Sequence, residues 1–403
     1  MNDQTVQAQD VDIIIVGAGI VGLTFAAAIA SLPVKILIID GKAPQFDWDP
    51  SHYDLRVSAI TRASQVAFER IGVWGAIHNA RVAPYHQMDV WDALGDGHIH
   101  FDCAELGQTD LGHIIENRVI HKALYDTIIQ QDNIEFLAPV RLSQAMPMTG
   151  GYEVTTDAGE HYRCRLIIGA DGGNSWLREQ AGIEVRQWEY GHHGLVATVT
   201  TETPHQQVAR QRFLATGPLA FLPLADPNTC SIVWSTTPEE AQRLLALSDT
   251  AFKMELANAF ELRLGMIDDV SQRASFPLKM RHARQYIRPC LALIGDAAHT
   301  IHPLAGQGLN LGIKDAMALA NVITQAHTKG RPMHSFATLR KYERARRGDN
   351  MAMITVMEGF KQCFTRNNEA LVSLRSYGLN MTDSCAPLKK LIMSQALGLG
   401  ASY

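Results

Sequence analysis

The residues best suited to chemistry lie in three turns, each of which combines glycines with one carboxylate. The first turn, GAGIVG at residues 17–22, is followed by Asp40, 18 residues after its last glycine. The second turn is GADGG at residues 169–173, and the third is GDAAHTIHPLAGQGLN at residues 295–310. Glycine-rich turns that lead into helices present unpaired backbone N–H groups, which bind anions such as phosphates. We therefore expect one large anionic ligand to contact several strand ends.

The first turn has the pattern of a dinucleotide-binding unit. An apolar strand, an apolar helix and a second strand that ends at Asp40 are predicted over residues 11–40. In this pattern Gly17 allows the tight turn, Gly19 lets a pyrophosphate approach the backbone, and Gly22 lets the helix pack on the strand. Asp40 would bind the ribose hydroxyls. The pattern does not distinguish FAD from NAD, and a glycine-rich turn in an unrelated α/β domain is the alternative.

Composition restricts the class of protein. The chain has 403 residues, 46% hydrophobic content and a net charge of −5. These values are typical of a globular protein, and the negative net charge gives no positive surface potential that would attract nucleic acid. No apolar run approaches the roughly 18–20 residues of a membrane span, and the N-terminus lacks the pattern of a signal peptide. Six scattered cysteines without a C-x-x-C pair indicate reduced thiols and no metal site. We therefore expect a cytoplasmic protein.

Strand and helix patterns divide the chain into three regions. The predicted regions are a discontinuous dinucleotide-binding domain (1–84, 110–184 and 277–325), a mostly antiparallel sheet domain (85–109 and 185–276) and a C-terminal helical region (326–403). Within the second region we predict a hairpin turn at residues 95–97 and helices at 238–246 and 249–264. Amphipathic helices are predicted at 336–347 and 352–364; their outer faces suit ordinary packing, an oligomer contact or a membrane contact.

Together the three turns resemble those of the p-hydroxybenzoate hydroxylase-like flavoprotein monooxygenases, and the similarity extends over nearly the whole chain. A NAD dehydrogenase does not carry the second and third turns. Within this superfamily, DLRVSAIT, LGHIIENRVIH, RFLATGPLAFLPL and FPLKMRHARQY resemble the ubiquinone-biosynthesis hydroxylases, and GNSWLR and CSIVWSTTPEEAQR resemble their VisC type, a 2-polyprenylphenol hydroxylase. The resemblance implies an α/β fold with a Rossmann-like FAD-binding domain, an inserted antiparallel-sheet substrate domain and C-terminal helices.

The resemblance also assigns cofactor contacts residue by residue. The expected FAD ligands fall on the three turns and two further segments: Gly17, Gly19, Gly22, Asp40, Arg56, Asn117, Asp171, Asp296, Gly306, Gly308, Leu309 and Asn310. Asp40 would hold the ribose and Asp296 the ribitol, while residues 308–310 would lie beside the flavin ring. From the sequence alone, Arg56 is equally well a surface arginine, and a helix cap is the default role for Asn117.

The reaction implied by the resemblance is hydroxylation of a polyprenylphenol with NAD(P)H and O2, at the first (C5) ring carbon of the pathway. Hydroxylation of another ring carbon and a flavin-dependent reduction without oxygen insertion are the alternatives. Pro303 would position the loop that faces the flavin ring, and His299 and His302 could move a proton because histidine titrates near neutral pH. Structural hydrogen bonds are the alternative for His299. The implied partners are the lipid substrate, other ubiquinone-biosynthesis proteins and a second copy of the chain, with peripheral contact at the inner face of the membrane.

Overall fold

A computed structural model describes residues 8–300, 307–365 and 368–398. Its strands are β1 (Gln9–Val16), β2 (Ile36–Ile39), β3 (Val57–Ile60), β4 (Val82–Tyr85), β5 (Gln87–Asp92), β6 (His98–Asp102), β7 (Gly112–Glu116), β8 (Ile134–Leu137), β9 (Leu142–Met148), β10 (Gly151–Thr156), β11 (His161–Gly169), β12 (Val185–Thr201), β13 (Val208–Leu214), β14 (Gly217–Pro223), β15 (Thr229–Thr236), β16 (Ile267–Val270), β17 (Ala274–Ala283), β18 (Ile287–Arg288), β19 (Leu291–Leu293) and β20 (His299–Thr300). Its α-helices are α1 (Ile20–Ile29), α2 (Arg62–Arg70), α3 (Trp74–Ala80), α4 (Asn117–Ile128), α5 (Trp176–Gln180), α6 (Pro238–Ala246), α7 (Asp249–Ala259), α8 (Gln307–Thr328), α9 (Phe336–Thr365), α10 (Glu369–Ser384) and α11 (Ala386–Leu397).

The three glycine turns follow strands of one eight-stranded sheet. Its strand order is β18-β19-β11-β1-β2-β8, with β10 beside β11 and β9 beside β10. β1 pairs in parallel with β2 and β11, and β11 pairs in parallel with β19. In this register Val16 lies beside both Ile39 and Gly169, and Gly169 lies beside Leu293. The carboxyl ends of β2, β1, β11 and β19 therefore meet at one edge, and this edge carries the three turns and Asp40.

The strands of this sheet are apolar because helices cover them. Ile13, Ile14 and Ile15 of β1 are all 0% exposed, as expected for a parallel strand between two layers. α1 packs against α8 at close range, since a Cβ atom at Gly312 would lie 2.6 Å from the side chain of Val21. Replacing one of these isoleucines by alanine would cost about 2–5 kcal/mol. This buried core fixes the frame that holds the turns.

The segments between the turns form a nine-stranded sheet with the order β20-β17-β12-β15-β14-β13-β5-β6, and with β16 beside β12. Neighbouring strands are antiparallel except β5 and β13, which are parallel. α6 and α7 cover one face, where Phe221 and Trp234 pack against Leu244 and Phe252. The hairpin predicted at residues 95–97 joins β5 to β6. A separate three-stranded sheet has the order β3-β7-β4. The mostly antiparallel sheet was predicted; the domain boundaries stay a prediction.

One helix of this region ends earlier than predicted. α7 stops at Ala259 instead of Leu264 because Glu261 and Leu262 adopt left-handed φ angles of 57° and 54°. The N–H of Leu262 donates to the carbonyl of Ala257 at 2.9 Å, which closes the turn. The reversal buries Leu264, which is 2% exposed. The apolar spacing continues through the turn, so the pattern alone did not show where the helix ends.

The C-terminal region contains one long helix where two were predicted. α9 extends over 30 residues and passes without a break through residues 348–351. Asn350 is buried within it and accepts a hydrogen bond from the Nη2 of Arg346 at 2.8 Å. Asn350 would favour a helix end in an exposed segment. Here it stabilises the helix, because its partner Arg346 lies one turn earlier.

α10 covers the free edge of the nine-stranded sheet. The backbone N–H groups of His98 and His100 on β6 donate to Asn380 Oδ1 and Asp383 Oδ1, at 2.9 and 3.1 Å. Side chains one helical turn apart thus take the place of a neighbouring strand and protect this edge from pairing with another chain. Among the helices in the described ranges, none combines the length and apolar character needed to cross a membrane.

Candidate functional site

The first turn leaves open space at the N-terminus of α1. Gly17 has a φ of 106°, and a Cβ atom there would lie 2.4 Å from the carbonyl oxygen of Ala170. A Cβ at Gly22 would lie 2.2 Å from the carbonyl oxygen of Gly17, whereas a Cβ at Gly19 would meet nothing within 4 Å. No side chain caps α1 at Gly19. Two glycines are therefore required by packing, and the third borders a space suited to an anion at a helix N-terminus.

The carboxylate of Asp40 is held beside this turn by backbone groups. Its Oδ2 accepts a hydrogen bond from the N–H of Ala18 at 2.7 Å, and its Oδ1 accepts one from the N–H of Lys42 at 2.8 Å. A carboxylate oxygen can accept more than one hydrogen bond. Asp40 therefore fixes the turn and can still bind hydroxyl groups, so the predicted ribose contact is compatible with the geometry and stays a prediction.

The second turn is tied to the third by a buried arginine. Arg178 is 5% exposed, and its terminal nitrogens donate to the carbonyls of Gly173 and Ala297, both at 2.9 Å. Asp171 accepts the N–H of Leu177 at 3.0 Å through Oδ2, while its Oδ1 is buried without a partner among the described residues. Burial raises the pKa of Asp171. An unpaired, buried carboxylate oxygen requires an explanation, and a ligand contact at this turn supplies one.

Two residues that support the site were not predicted individually. Arg178 lies in the last turn of the short helix α5, an ordinary place for a basic residue, so no signal in the sequence indicated its buried partners. Glu116 is 2% exposed and accepts the N–H of Asp54 at 2.7 Å and the Nε atoms of Arg81 and Arg118 at 2.7 and 3.0 Å. The sequence alone does not predict that this carboxylate pairs with two arginines, because one of them, Arg81, is 35 residues away.

Asp296 has a solvent-exposed side chain and a partly desolvated carboxyl group. The residue is exposed to solvent, yet the surrounding protein desolvates its carboxyl group strongly enough to raise its pKa. Interactions with His299 and Arg281 oppose this shift. Asp296 is thus accessible to the hydroxyl groups of a ligand, as its predicted ribitol contact requires.

His299 belongs to a buried polar network. Its Nε2 lies 2.5 Å from the Oδ2 of Asp315, which also accepts the N–H of Gly295 at 3.2 Å, and the other oxygen of Asp315 accepts the Nε of Arg346 at 2.8 Å. Burial alone would raise the pKa of Asp315, but His299 and Arg346 outweigh it and hold this pKa below its ordinary value. Because His299 is 1% exposed, the geometry favours the structural role that was the alternative to proton transfer.

Three predicted residues, His302, Pro303 and Gly306, lie outside the described residues. Their roles in positioning the loop and moving a proton therefore stay predictions. The chain is described again from the start of α8, which follows this segment.

The residues at the start of α8 divide between open space and the core. A Cβ atom at Gly308 would meet nothing within 4 Å, so the backbone is accessible there. Leu309 is half-buried. Asn310 is 0% exposed; its Oδ1 accepts the N–H of Thr61 at 3.0 Å, and its Nδ2 donates to the carbonyl of Ala59 at 2.7 Å. The Asn310 side chain thus holds α8 against α2, and any contact with a flavin ring falls to its backbone and to the two residues before it.

Arg56 and Asn117 are brought together, as the shared prediction for them requires. The N–H of Asn117 donates to the carbonyl of Arg56 at 2.9 Å, and its Oδ1 accepts the hydroxyl of Ser58 at 2.7 Å. The guanidinium of Arg56 lies 5.6 Å from the ring centre of Phe276 on β17. Arg56 is exposed, so its charge is available to an anionic ligand between the two sheets. Both FAD contacts stay predictions.

The residues that line the turns fit an extended dinucleotide. An uncapped helix N-terminus beside open space suits a pyrophosphate. Asp40 after β2 and the accessible Asp296 after β19 suit hydroxyl groups on either side of it, since β1 and β11 lie between these two strands.

Comparison with known proteins identifies the family. Residues 10–355 match the family described as FAD binding domain. The 3-demethoxyubiquinol 3-hydroxylase of Escherichia coli is 37% identical over 97% of this chain and 99% of its own. The ubiquinone biosynthesis monooxygenase COQ6 of Xenopus tropicalis is 36% identical over 96% of this chain and 93% of its own. The ubiquinone hydroxylase UbiL of Rhodospirillum rubrum is 35% identical over 96% of this chain and 89% of its own.

Solved structures show the same fold at lower identity. The p-nitrophenol 4-monooxygenase PnpA of Pseudomonas putida has a TM-score of 0.79 at 16% identity, covering 96% of this chain and 98% of that chain. PqsL of Pseudomonas aeruginosa, a probable FAD-dependent monooxygenase, has a TM-score of 0.77 at 20% identity, covering 93% and 100%. These matches confirm the predicted fold class. None of the relatives named here is called a 2-polyprenylphenol hydroxylase, so they do not support that narrower assignment. The chain belongs to the FAD-binding-domain family, and within it to the FAD-dependent monooxygenases that include the ubiquinone-biosynthesis hydroxylases.

Proposed function

We propose that this chain hydroxylates the aromatic ring of a polyprenylphenol in ubiquinone biosynthesis, with NAD(P)H as electron donor and O2 as oxygen donor. The observation that carries the proposal is identity of 35–37%, over nearly the whole chain, to proteins named for ubiquinone biosynthesis or hydroxylation. The convergence of three glycine-and-acid turns on one edge of a sheet supports FAD as the cofactor.

In this proposal the chain's own residues bind and orient the cofactor. FAD, when bound, supplies the transfer of electrons to oxygen. The first turn and the N-terminus of α1 receive the pyrophosphate, Asp40 receives the ribose, and Asp296 receives a ribitol hydroxyl. Arg178 keeps the second and third turns at a fixed separation, since it donates to a carbonyl in each. The N-terminus of α8 favours negative charge in front of it.

The ring carbon is the finer part of the proposal. The sequence motifs favour the first, C5 hydroxylation, whereas the Escherichia coli relative is named for hydroxylation at position 3 of 3-demethoxyubiquinol. Purified holoenzyme can be given NADPH, O2 and either a 2-polyprenylphenol or the 3-demethoxyquinol, and the new hydroxyl located by NMR. A C5-hydroxylated product from the phenol supports the first assignment, and a product from the quinol alone supports the second.

The same experiment separates hydroxylation from simple reduction. A flavin-dependent reductase would consume NADPH with either compound and form no hydroxylated ring. That result would contradict the proposal and favour the reductase.

An isoprenoid substrate must arrive from a membrane or from another protein, and peripheral contact with one of them is part of the proposal. The outer face of α10 and α11 supports it, since Leu374, Tyr377 and Leu391 are 64%, 67% and 58% exposed. Association of two copies of the chain stays a prediction.

A further inference from the structure

The nine-stranded sheet has one face that its neighbours cover incompletely. On the face towards α6 and α7, Leu195 and Ile232 are both 0% exposed. On the opposite face, Val196, Val233 and Ala220 are half-buried. Val233 is the register partner of Val196 on one side and of Ala220 on the other, so the three form an apolar row across β12, β15 and β14. We call Val196, Val233 and Ala220 the apolar row.

The apolar row lies next to the third turn. A Cβ atom at Gly194, which shares the face of Val196, would lie 3.2 Å from the side chain of Leu278. Leu278 packs in one apolar cluster with Leu311 of α8 and Ile354 of α9. Leu311 directly follows the third turn in the sequence. The face that carries the apolar row therefore looks towards the N-terminus of α8.

α9 crosses the same face of the sheet. Near its middle Ile354 packs against Leu311, and ten residues later Phe364 stacks on Phe213 of β13 with ring centres 3.8 Å apart. Ten helical residues span about 15 Å, which is close to the roughly 14 Å covered by the three strand spacings from β12 to β13. The apolar row is thus bounded by the sheet on one side, α9 on the other and α8 at one end.

Gln211 continues the apolar row on β13 and places an amide among apolar neighbours. Its register partners are Ala220 on β14 and Val90 on β5. Gln211 is 8% exposed, its side chain makes no hydrogen bond in the described part of the chain, and its amide atoms are not fully buried. On the same face, the hydroxyl of Ser231 is buried and likewise has no partner among the described residues.

A glutamine that is largely buried among apolar residues and whose amide makes no hydrogen bond to the described protein keeps that amide free for a ligand. An apolar surface with a few polar groups aimed into it is the usual composition of a small-molecule site. We propose that Gln211 binds the substrate: its amide hydrogen-bonds the ring hydroxyl of a phenol whose ring and apolar substituent lie on the apolar row. The inference rests on the proposed function. An amide can donate to a phenolate and accept from a phenol, so it serves either protonation state.

The test compares a phenol with its own methyl ether. Wild-type holoenzyme, Gln211→Leu and the control Gln242→Leu, an exposed position on α6, are titrated calorimetrically with 2-prenylphenol and with 2-prenylanisole. We expect the wild type and the control to bind the phenol at least about tenfold more tightly than the ether, because a site built for a hydroxyl discriminates against its loss. Gln211→Leu should bind the two compounds equally well, with FAD affinity, the flavin spectrum and the unfolding midpoint unchanged.

Each possible result either supports or contradicts the assignment of Gln211. Discrimination by Gln211→Leu equal to that of the wild type overturns the assignment of Gln211 and leaves the proposed function intact. Loss of FAD or of stability in Gln211→Leu overturns it as well, since the residue would then be structural. A wild-type protein that holds FAD and binds neither compound contradicts the proposed function itself.

Discussion

Asp315 of α8 and Arg346 of α9 form a buried ion pair beside the third glycine turn, with Oδ1 and Nε 2.8 Å apart. The other oxygen of Asp315 accepts the N–H of Gly295 at 3.2 Å. Gly295 has a φ of 59°, a conformation that glycine adopts far more readily than other residues. Side chains of α8 and α9 thus hold Gly295, the residue that precedes Asp296, and the predicted ribitol contact depends on them.

Asp315→Leu should destabilise the fold and weaken FAD binding. Because it removes the buried carboxylate that pairs with Arg346 and leaves that guanidinium only Asp349 and Asn350, we expect a loss of about 3 kcal/mol in the free energy of unfolding, measured by urea denaturation. The double variant Asp315→Leu/Arg346→Met should regain part of this stability, since it removes the unbalanced charge but leaves His299 and the N–H of Gly295 without their acceptor. Its FAD affinity should stay low because the N–H of Gly295 still lacks its acceptor. Wild-type FAD affinity in the double variant would show that the pair serves stability alone.

Gly19 and Gly22 should respond differently to alanine. Gly19 has φ −70° and ψ 173°, which alanine adopts without strain, and a Cβ atom there would meet nothing within 4 Å. We expect Gly19→Ala to leave the free energy of unfolding within about 0.5 kcal/mol of the wild type and to weaken FAD binding, because the methyl group enters the space of the pyrophosphate. Gly22→Ala should cost about 1–3 kcal/mol by overpacking.

Urea unfolding of the apoprotein and fluorescence titration with FAD measure both effects. Unchanged FAD affinity in Gly19→Ala would contradict the placement of the pyrophosphate at the first turn.

His282 should make stability depend on pH. It is 4% exposed, its Nε2 lies 3.0 Å from the hydroxyl of Tyr286, and burial lowers its pKa from 6.5 to about 4. Because the folded state has the lower pKa, the unfolded chain binds more protons between these two values, and stability falls as the pH drops from 6.5 to 4. The loss is up to about 3 kcal/mol.

His282→Gln keeps a hydrogen-bonding group and cannot titrate. Urea unfolding at several pH values should give a shallower slope for this variant than for the wild type within the same window. Parallel slopes would show that His282 does not contribute to the pH dependence.

The C-terminal helices should be inseparable from the nine-stranded sheet. Arg375 of α10 and Asp92 of β5 form a buried bidentate pair, with distances of 2.5 and 2.9 Å. Arg375→Met leaves this carboxylate buried and unpaired, so we expect a loss of about 3–5 kcal/mol in the free energy of unfolding. The control Arg344→Met, at an exposed position of α9, should change it by no more than about 0.5 kcal/mol.

An effect of Arg375→Met no larger than that of the control would contradict the integral role of α10. If the role holds, removing the C-terminal helices also disrupts the sheet. A truncation therefore cannot serve as a test of membrane or partner contact alone, and surface variants of Leu374 and Tyr377 are the better tool.

The sequence predicted those parts of the site that depend on local geometry. The glycines of the first turn are required by contacts with the turn itself and with the neighbouring strand end, and such requirements leave a recognisable spacing. Asp40, Asp171 and Asp296 follow buried strands, whose apolar runs locate them at one edge of a parallel sheet. The fold class followed from the order of these units.

Orientation of side chains was beyond prediction because distant residues decide it. Asn310 faces Ala59 and Thr61, which lie about 250 residues earlier in the sequence. His299 faces Asp315 and Arg346 in the core, and Gln211 lies in an apolar row whose members come from three other strands. A one-dimensional pattern shows that such residues are polar; only the packed structure shows whether they have partners.

We propose that a flavin bound at the three turns transfers oxygen from O2 to a phenol ring. The most direct test is a reaction of purified holoenzyme with NADPH and a polyprenylphenol under isotopically labelled O2, analysed by mass spectrometry. We expect a ring product that carries a single labelled oxygen atom in its new hydroxyl group. A hydroxylated product without label, or NADPH consumption without any hydroxylated product, would contradict it.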